Sequence, residues 1–322
     1  MASTPQKALD EYNYSMLPSG ELYKIGFGDD RLYWIYTIPF IGLTVSFIIQ
    51  NSPSRQQIAQ RLWGIGIVFI LAGSIVLTLW GYIRRWLYHK AVKSFALKNN
   101  LQTLSEADMS ATIPPCAAAP EGAYNLKLNG YLFMIGNTPV AIFDYSYTVG
   151  SGRSSKDYQF ALATHRFDKT YPHLFLDSKA NGRNYLYAGS QKVDLEGDFD
   201  KYFQLYIPKG SQADALTIFS PDVMQSLINT AKPFDIEIDG NIAAIVTRGY
   251  AFTRDNVSNF LIAAGVLSKE FIHLDKSWRL DTDNKGKAFV LQRHKYEAII
   301  VFCLFVFFYL VLYFGLNHFA GR

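Results

Sequence analysis

The sequence predicts an α+β protein with three transmembrane helices, a hairpin of two and a C-terminal third, and a mainly antiparallel sheet-and-helix domain between the second and the third. Three observations support this fold class. Long apolar runs occupy residues 32–49, 62–83 and 298–316. Between the last two runs, apolar and polar residues alternate with the period of two that is typical of half-buried strands. Two segments there have the three- and four-residue apolar spacing of helices instead.

The second apolar run, Leu62–Ile83, is the strongest membrane signal. It has 22 residues without an Asp, Glu, Lys, Arg or His, and about 20 apolar residues cross the hydrocarbon core of a bilayer. Lys and Arg lie mostly on one side of the three runs, twelve against three, which marks the cytoplasmic side. We therefore expect a multi-pass protein of the cytoplasmic cell membrane. Its N-terminus and large domain would be cytoplasmic, and its C-terminus would lie outside.

Residues 84–98 predict a basic helix that continues from the second run. Its apolar residues recur at helical spacing, so one face would pack on the domain while the charges fix the topology. An interfacial helix attracted to anionic lipid is the alternative interpretation. The predicted membrane-interface residues are Arg84, Arg85, Lys90, Lys93, Arg293 and Lys295.

The remaining boundaries follow from composition. Residues 1–31 are polar and punctuated by Pro and Gly, as expected of a short arm. Residues 99–123 include adjacent prolines and a run of alanines, typical of an extended linker. The predicted order is a cytoplasmic N-terminal arm (1–31), a transmembrane helical hairpin (32–83, with helices at 32–49 and 62–83), a basic juxtamembrane helix (84–98), a linker (99–123), a cytoplasmic α+β domain (124–280) and a C-terminal transmembrane helix (298–316).

Turn and cap residues define the elements of the domain. Alternating runs at 143–148 and 158–163 flank a Gly/Ser loop and predict an antiparallel hairpin. Asp239-Gly240 predicts a second hairpin, in which the acids of 235–239 would face solvent. Ser220 followed by Pro221 predicts the start of one helix, and Thr253 the start of another. Shorter strands are predicted at 173–176, 185–187 and 203–207.

Two segments suggest ligand chemistry but have simpler explanations. The loop at 150–155 lacks the GxxxxGK[ST] pattern of a phosphate-binding loop. The acids of 194–200 lack the glycine and the terminal glutamate of a calcium loop, and they fit the solvent face of a strand. The six histidines have no ligand-spaced neighbours. We therefore predict no catalytic, cofactor-binding or metal-binding residue, and no cofactor.

Three motifs of the domain carry a resemblance to a known family. They are Asp144-Tyr145-Ser146-Tyr147-Thr148, Leu195-Glu196-Gly197-Asp198-Phe199 and Ser220-Pro221-Asp222-Val223-Met224. With them, residues from about 90 to 250 resemble bacterial multi-pass membrane proteins that carry a domain of unknown function. The resemblance implies a bacterial cytoplasmic-membrane setting and a mixed α+β domain. It implies no activity and no catalytic residue.

The predicted function is that of a binding or scaffolding module of a membrane complex. Its expected partners are the lipid bilayer and a protein partner, or further copies joined through the transmembrane helices. The net charge of +4 comes without a basic, aromatic-lined stripe, so nucleic acid is not a predicted partner. An exposed apolar patch would favour a partner, and a deep polar cleft would favour chemistry.

Two alternatives stay open. One is a membrane-bound enzyme acting on a lipid or envelope precursor, and the other is a subunit of an oligomeric channel or transporter. The sequence has no nucleophile–base pair and no nucleotide motif, which argues against an enzyme without deciding the question. If the domain is an enzyme, the residues to inspect first are Asp144, Asp157, Asp198 and His165.

Overall fold

The computed structural model describes residues 12–19, 56–114, 118–119, 122–152, 155–181, 186–188, 190–195, 197–208, 218–272 and 290–292. Its helices are α1 (Gln56–Lys98), α2 (Glu106–Ser110), α3 (Pro221–Thr230) and α4 (Arg254–Ile272), with 3₁₀ turns at Tyr14–Met16, Lys179–Asn181 and Phe199–Lys201. Its strands are β1 (Gln102–Thr103), β2 (Tyr124–Ile135), β3 (Thr138–Val149), β4 (Lys156–Ser178), β5 (Leu186–Ala188), β6 (Ser190–Val193), β7 (Phe203–Pro208), β8 (Asp235–Arg248) and β9 (Val290–Gln292).

The described strands pair in an antiparallel manner. β2, β3 and the first part of β4 form a meander, with β1 on the free edge of β2. The last part of β4 pairs with β7, and β7 pairs with β6. β5 pairs with β9, and β8 pairs with β4. The part of the chain that the structure describes is thus mostly antiparallel sheet, with few helices.

The chain divides into two compact units. The first comprises residues 1–112, 119–166 and 244–272, and the second comprises residues 113–118, 167–243 and 273–322. β4 and β8 are long enough, at 23 and 14 residues, to contribute to both units.

In the first unit, the last part of α1 and the start of α4 supply aromatic side chains to the core of the sheet. Phe95 of α1, Phe133 of β2 and Phe260 of α4 are each fully buried. Gly130 of β2 permits close packing, because a Cβ there would lie 2.9 Å from Met109 Sδ of α2 and would overlap Phe143 Cβ. The unit therefore has a tightly packed aromatic core.

In the second unit, α3 buries one face. Ser220 caps it by accepting a hydrogen bond from the Val223 amide at 3.4 Å, and Pro221 occupies its first turn. Its buried side chains include Val223, Leu227 and Ile228. β7 supplies Phe203, Leu205 and Ile207 to the core of the same unit. Apolar burial of this kind is the main favourable contribution to folding.

Several predicted elements are confirmed. β3 and β4 form the hairpin across the Gly/Ser loop, with Tyr147 opposite Tyr158. β7 and the helices after Ser220 and Thr253 are also present. The hairpin at Asp239-Gly240 is wrong, because β8 runs through it as one strand. Gly240 has a φ of +59°, and a left-handed glycine is compatible with a strand irregularity as well as with a turn.

Two more segments differ from their sequence interpretation. The region predicted as an extended linker contains β1 and α2, where Ser105 caps α2 and Met109 is buried. The acids of 194–200 do not line a strand, because residues 199–201 form a 3₁₀ turn. The backbone of α2 and of the 3₁₀ turn satisfies its hydrogen bonds locally, whereas β1 pairs with β2 about thirty residues further along the chain. Alternation and composition reveal neither arrangement.

The prediction of three transmembrane helices is contradicted. Across the part of the chain that the structure describes, no helix is both long enough and apolar enough to cross a membrane. The runs at 32–49 and 298–316 lie outside the described residues. The run at 62–83 belongs to α1, which continues through the basic residues 84–98 and packs into the first unit.

The physical reason for this error is that run length is an incomplete criterion. An apolar run satisfies the length of a crossing without showing what the helix continues into or packs against. The multi-pass topology, the location in the cytoplasmic membrane and the orientation all depended on the three crossings. Those predictions are therefore contradicted as well.

Candidate functional site

The four residues that the sequence singles out for a possible enzyme do not form one site. They are Asp144, Asp157, His165 and Asp198. Asp157 accepts a hydrogen bond from Thr148 Oγ1 at 2.7 Å. His165 Nδ1 lies 3.1 Å from the carbonyl oxygen of Pro139. Asp198 is exposed and pairs with Lys201 at 2.7 Å. Asp144 differs, because both of its oxygens accept hydrogen bonds in the interior of the first unit.

Asp144 lies on β3 and joins three parts of the first unit. Tyr88 Oη of α1 donates to Asp144 Oδ2 at 2.6 Å, and the Ala251 amide donates to Oδ1 at 2.7 Å. The Phe252 amide in turn donates to Tyr88 Oη at 3.0 Å. The ring of Tyr250 lies 4.3 Å from that of Tyr88. The carboxylate therefore fastens α1, β3 and the segment before α4 to one another.

Burial determines the electrostatics of this network. It raises the pKa of Asp144 from 3.8 to about 7, although the hydrogen bonds from Tyr88 and Ala251 act in the opposite direction. Burial also raises the pKa of Tyr88 well above its usual value of 10, and the neighbouring Asp144 carboxylate adds to this. No Lys or Arg among the described residues offsets the loss of hydration, so the charged form of Asp144 is disfavoured. A pKa of about 7 means that both the protonated and the ionised forms of the carboxyl group are populated near neutral pH.

A second polar pair lies inside the second unit. His173 Nε2 and Glu237 Oε1 are 2.8 Å apart, and the two side chains are 4% and 0% exposed. Asp235 is also buried, and accepts hydrogen bonds from the Ser178 amide at 2.9 Å and from Asn181 Nδ2 at 2.5 Å. The prediction that the acids of 235–239 face solvent is therefore wrong for Asp235 and Glu237.

These buried groups are suited to holding structure rather than to reacting with a ligand. The hydrogen bonds described above tie these groups to other residues inside the units, where substrate contact is restricted. Among the described residues there is no group of three or more His, Cys, Asp or Glu side chains that could hold a metal ion. Chemistry at a buried carboxyl needs an open path to it, so an exposed surface is the better candidate for a functional site.

The most unusual surface is the exposed length of α1, residues 75–87. Eight large apolar side chains there are between 46% and 74% exposed. Gly81, in the middle of this length, has no atoms within 4 Å of an added Cβ, so the helix is open on that side too. Among the α1 side chains that the structure describes from residue 75 onward, Tyr88 is the first that is buried. The exposed apolar residues are Ile75, Val76, Leu79, Trp80, Tyr82, Ile83, Trp86 and Leu87.

Four of the predicted membrane-interface residues lie on α1. Arg85, Lys90 and Lys93 are exposed, whereas Arg84 is half-buried. Lys90 Nζ lies 5.2 Å from the centre of the Trp86 ring, within cation–π range. Arg293 and Lys295 lie outside the described residues. Arg84 and Arg85 thus lie within the exposed length of α1, and Lys90 and Lys93 follow it. The transmembrane crossing that these residues were predicted to flank is contradicted.

Sequence reasoning missed the partners of Asp144. Tyr88 is 56 residues and Ala251 is 107 residues away along the chain, so no local spacing could reveal them. One signal was available, because Tyr88 interrupts an apolar stripe with a phenol. A buried tyrosine hydroxyl usually has a hydrogen-bond partner.

Comparison of this chain with protein-family models, with curated proteins and with solved structures gives no match. The resemblance to bacterial multi-pass membrane proteins with a domain of unknown function therefore stays a prediction from the three motifs.

Proposed function

We propose that this protein is a binding module that holds another protein chain on the exposed length of α1. The single observation that carries the proposal is the exposure of the eight apolar side chains between residues 75 and 87. Contiguous exposed apolar patches above about a few hundred Å² are rare on monomeric proteins and mark interaction sites. Covering these side chains would remove apolar surface from water, which is the dominant favourable term in association.

The types of residue in this length also support a protein partner. Trp80, Tyr82 and Trp86 are among the eight side chains, and Trp and Tyr are enriched at the energetic centres of protein interfaces. Each offers a large contact area with few rotatable bonds, so little side-chain entropy is lost on binding.

The hydrogen bonds around Asp144 hold α1 in place at the end of the binding surface. Tyr88 follows the exposed length directly, and it is tied to β3 and to the Ala251–Phe252 backbone. Phe95, two turns further along α1, is buried in the core of the same unit. Anchoring of this kind lowers the entropy cost of binding because the helix is already ordered.

An enzyme is a weaker proposal. The acid and base groups that the sequence or the structure singles out are buried and hydrogen-bonded, as with Asp144 and Glu237, or exposed and already paired, as Asp198 is with Lys201. No pair of them places a nucleophile beside a base in the described residues. These arrangements favour a binding module over an enzyme.

Site-specific photo-crosslinking in cells tests the proposal. A photoreactive amino acid replaces Leu79, which is 56% exposed, in the full chain. The matched control replaces Leu126 of β2, which is 52% exposed in the same unit. We expect a discrete protein adduct from position 79 and none from position 126. The adduct should be lost when Ile83→Asp is added. If position 79 gives no protein adduct, the proposal is wrong.

A further inference from the structure

One face of α1 has the spacing of a coiled-coil seam. Seven of its residues are separated alternately by three and four positions, which places them along a single line on the helix. All seven are exposed. They are Val76, Leu79, Ile83, Trp86, Lys90, Lys93 and Leu97.

The protein's own core does not use this seam. The side chains of α1 that enter the first unit are Tyr88, Val92, Phe95 and Ala96. At 3.6 residues per turn these lie on the opposite side of the helix from the seam. The helix is therefore bifacial over 88–97, with one face packed on the unit and the other in solvent.

The seam changes chemistry along its length. Its first four residues are apolar or aromatic, and they are followed by Lys90 and Lys93. The ion pairs formed within the described residues do not include either lysine. Two exposed lysines in consecutive seam positions would face a partner helix directly.

We infer that the bound chain presents an amphipathic helix, apolar where it meets 76–86 and acidic where it meets Lys90 and Lys93. This inference rests on the proposed function and specifies its partner. Polar residues at seam positions are a known device for choosing between partners, because they penalise the wrong one. Carboxylates opposite the two lysines would form ion pairs with them, whereas a partner with an entirely apolar seam could not.

A second copy of this chain fits poorly. α1 contains no Asp or Glu between Gln56 and Lys98, so its own seam cannot supply the carboxylates. Parallel pairing of two copies would place Lys90 against Lys90 and Lys93 against Lys93. Antiparallel pairing centred between Ile83 and Trp86 would place the lysines against apolar side chains. Both arrangements bury lysine charge without a partner, which is costly.

Two synthetic peptides of about four heptads each test the inference. Both have the same apolar seam and differ at the two positions that face the lysines, which carry Glu in one peptide and Lys in the other. Binding to the full chain is followed by fluorescence anisotropy of the labelled peptide. We expect the Glu peptide to bind about tenfold more tightly than the Lys peptide. The double variant Lys90→Glu/Lys93→Glu should reverse the preference.

The control variant is Lys98→Glu/Lys127→Glu. It makes the same change of charge at two exposed positions of the first unit that lie outside both the seam and residues 75–87, and it should keep the preference for the Glu peptide. Circular dichroism checks that both variants stay folded.

Other outcomes overturn the inference in distinguishable ways. Equal affinity for both peptides would show that Lys90 and Lys93 do not discriminate between acidic and basic partner helices. The proposed function would remain in place. Self-association of the unliganded chain through the seam would favour a second copy. Binding to anionic phospholipid vesicles, with neither peptide bound, would point to a lipid surface. Failure of the proposed function itself is tested independently, by the absence of a protein adduct at position 79.

Discussion

Asp144 of the first unit and Glu237 of the second are both buried carboxylates, yet different kinds of group hold them. Asp144 accepts from a hydroxyl and a backbone amide, which are neutral donors. Glu237 lies 2.8 Å from the ring of His173, which can itself carry a charge. For Asp144, dehydration outweighs the hydrogen bonds and raises the pKa to about 7. Glu237 and His173 are both removed from water, and each is the polar partner of the other, so losing one leaves the other buried without that contact.

The largest effect should come from removing Glu237. Glu237→Ala takes the acceptor away from a buried imidazole, and breaking such a pair costs about 4 kcal/mol of unfolding free energy. Glu237→Gln keeps an oxygen that can accept from His173 Nε2, so its loss should be much smaller. Urea unfolding followed by circular dichroism compares the two. Equal losses in both variants would show that the carboxylate charge, and not the hydrogen bond that glutamine keeps with His173, is what matters.

The pH dependence of the unfolding free energy tests the raised pKa of Asp144. Its sign is opposite to that of most aspartates, whose pKa is lowered on folding. The folded-state pKa of about 7 exceeds the ordinary value of 3.8, so the folded chain binds the proton more tightly than the unfolded chain does. This contribution to stability is complete below the unfolded pKa and is lost as pH rises through 7. At 1.36 kcal/mol per pH unit, raising the pH from 5 to 8 should remove roughly 3 kcal/mol.

The matched variant for that measurement is Asp144→Asn, which cannot ionise. The difference in unfolding free energy between the natural chain and this variant should shift against the natural chain from pH 5 to pH 8. Subtracting the variant cancels the titration of all other groups. A difference that stays constant, or that moves in the natural chain's favour, would mean that Asp144 is ionised throughout.

A smaller effect is expected from Tyr88→Phe. It removes the hydroxyl that donates to Asp144 and accepts from the Phe252 amide, at a cost of about 1–2 kcal/mol. The hydrogen bond from Tyr88 lowers the pKa of Asp144, so its loss should raise that pKa further. A ¹³C NMR titration of the Asp144 carboxyl measures the change. Tyr250→Phe, which alters only a neighbouring ring's hydroxyl, is the control and should leave the titration in place.

Sequence patterns were sufficient where structure is local. Alternation at 143–163 predicted the β3–β4 hairpin, and Ser220-Pro221 predicted the start of α3. In both, the side chains that determine the element are neighbours along the chain. Asp239-Gly240 shows the limit of local signals, since a left-handed glycine is needed within β8 as well as in a turn.

The candidate sites depended on contacts that sequence does not display. Asp144 meets Ala251 only because β3 and the segment before α4 come together in the fold. Glu237 looked like a solvent-facing residue because alternation assigns a face but not its exposure. The apolar residues of 75–83 are predicted from the sequence as part of a crossing, and Trp86 and Leu87 as part of the basic juxtamembrane helix. Their exposure, and the change from apolar residues to lysine along the seam, became visible only once the packed side of α1 was known.

The smallest effect is expected at Asp198, which completes the comparison as an exposed carboxylate. Its contact with Lys201 is 2.7 Å long, similar to that of Glu237 with His173, but the side chains are 70% and 68% exposed. The hydrogen bond from Lys201 to Asp198 raises the pKa of the lysine. Water solvates both charges when the pair is broken, so Asp198→Asn should leave the urea midpoint unchanged. A shift in the midpoint as large as that of Glu237→Ala would mean that burial does not determine how much each carboxylate contributes to stability.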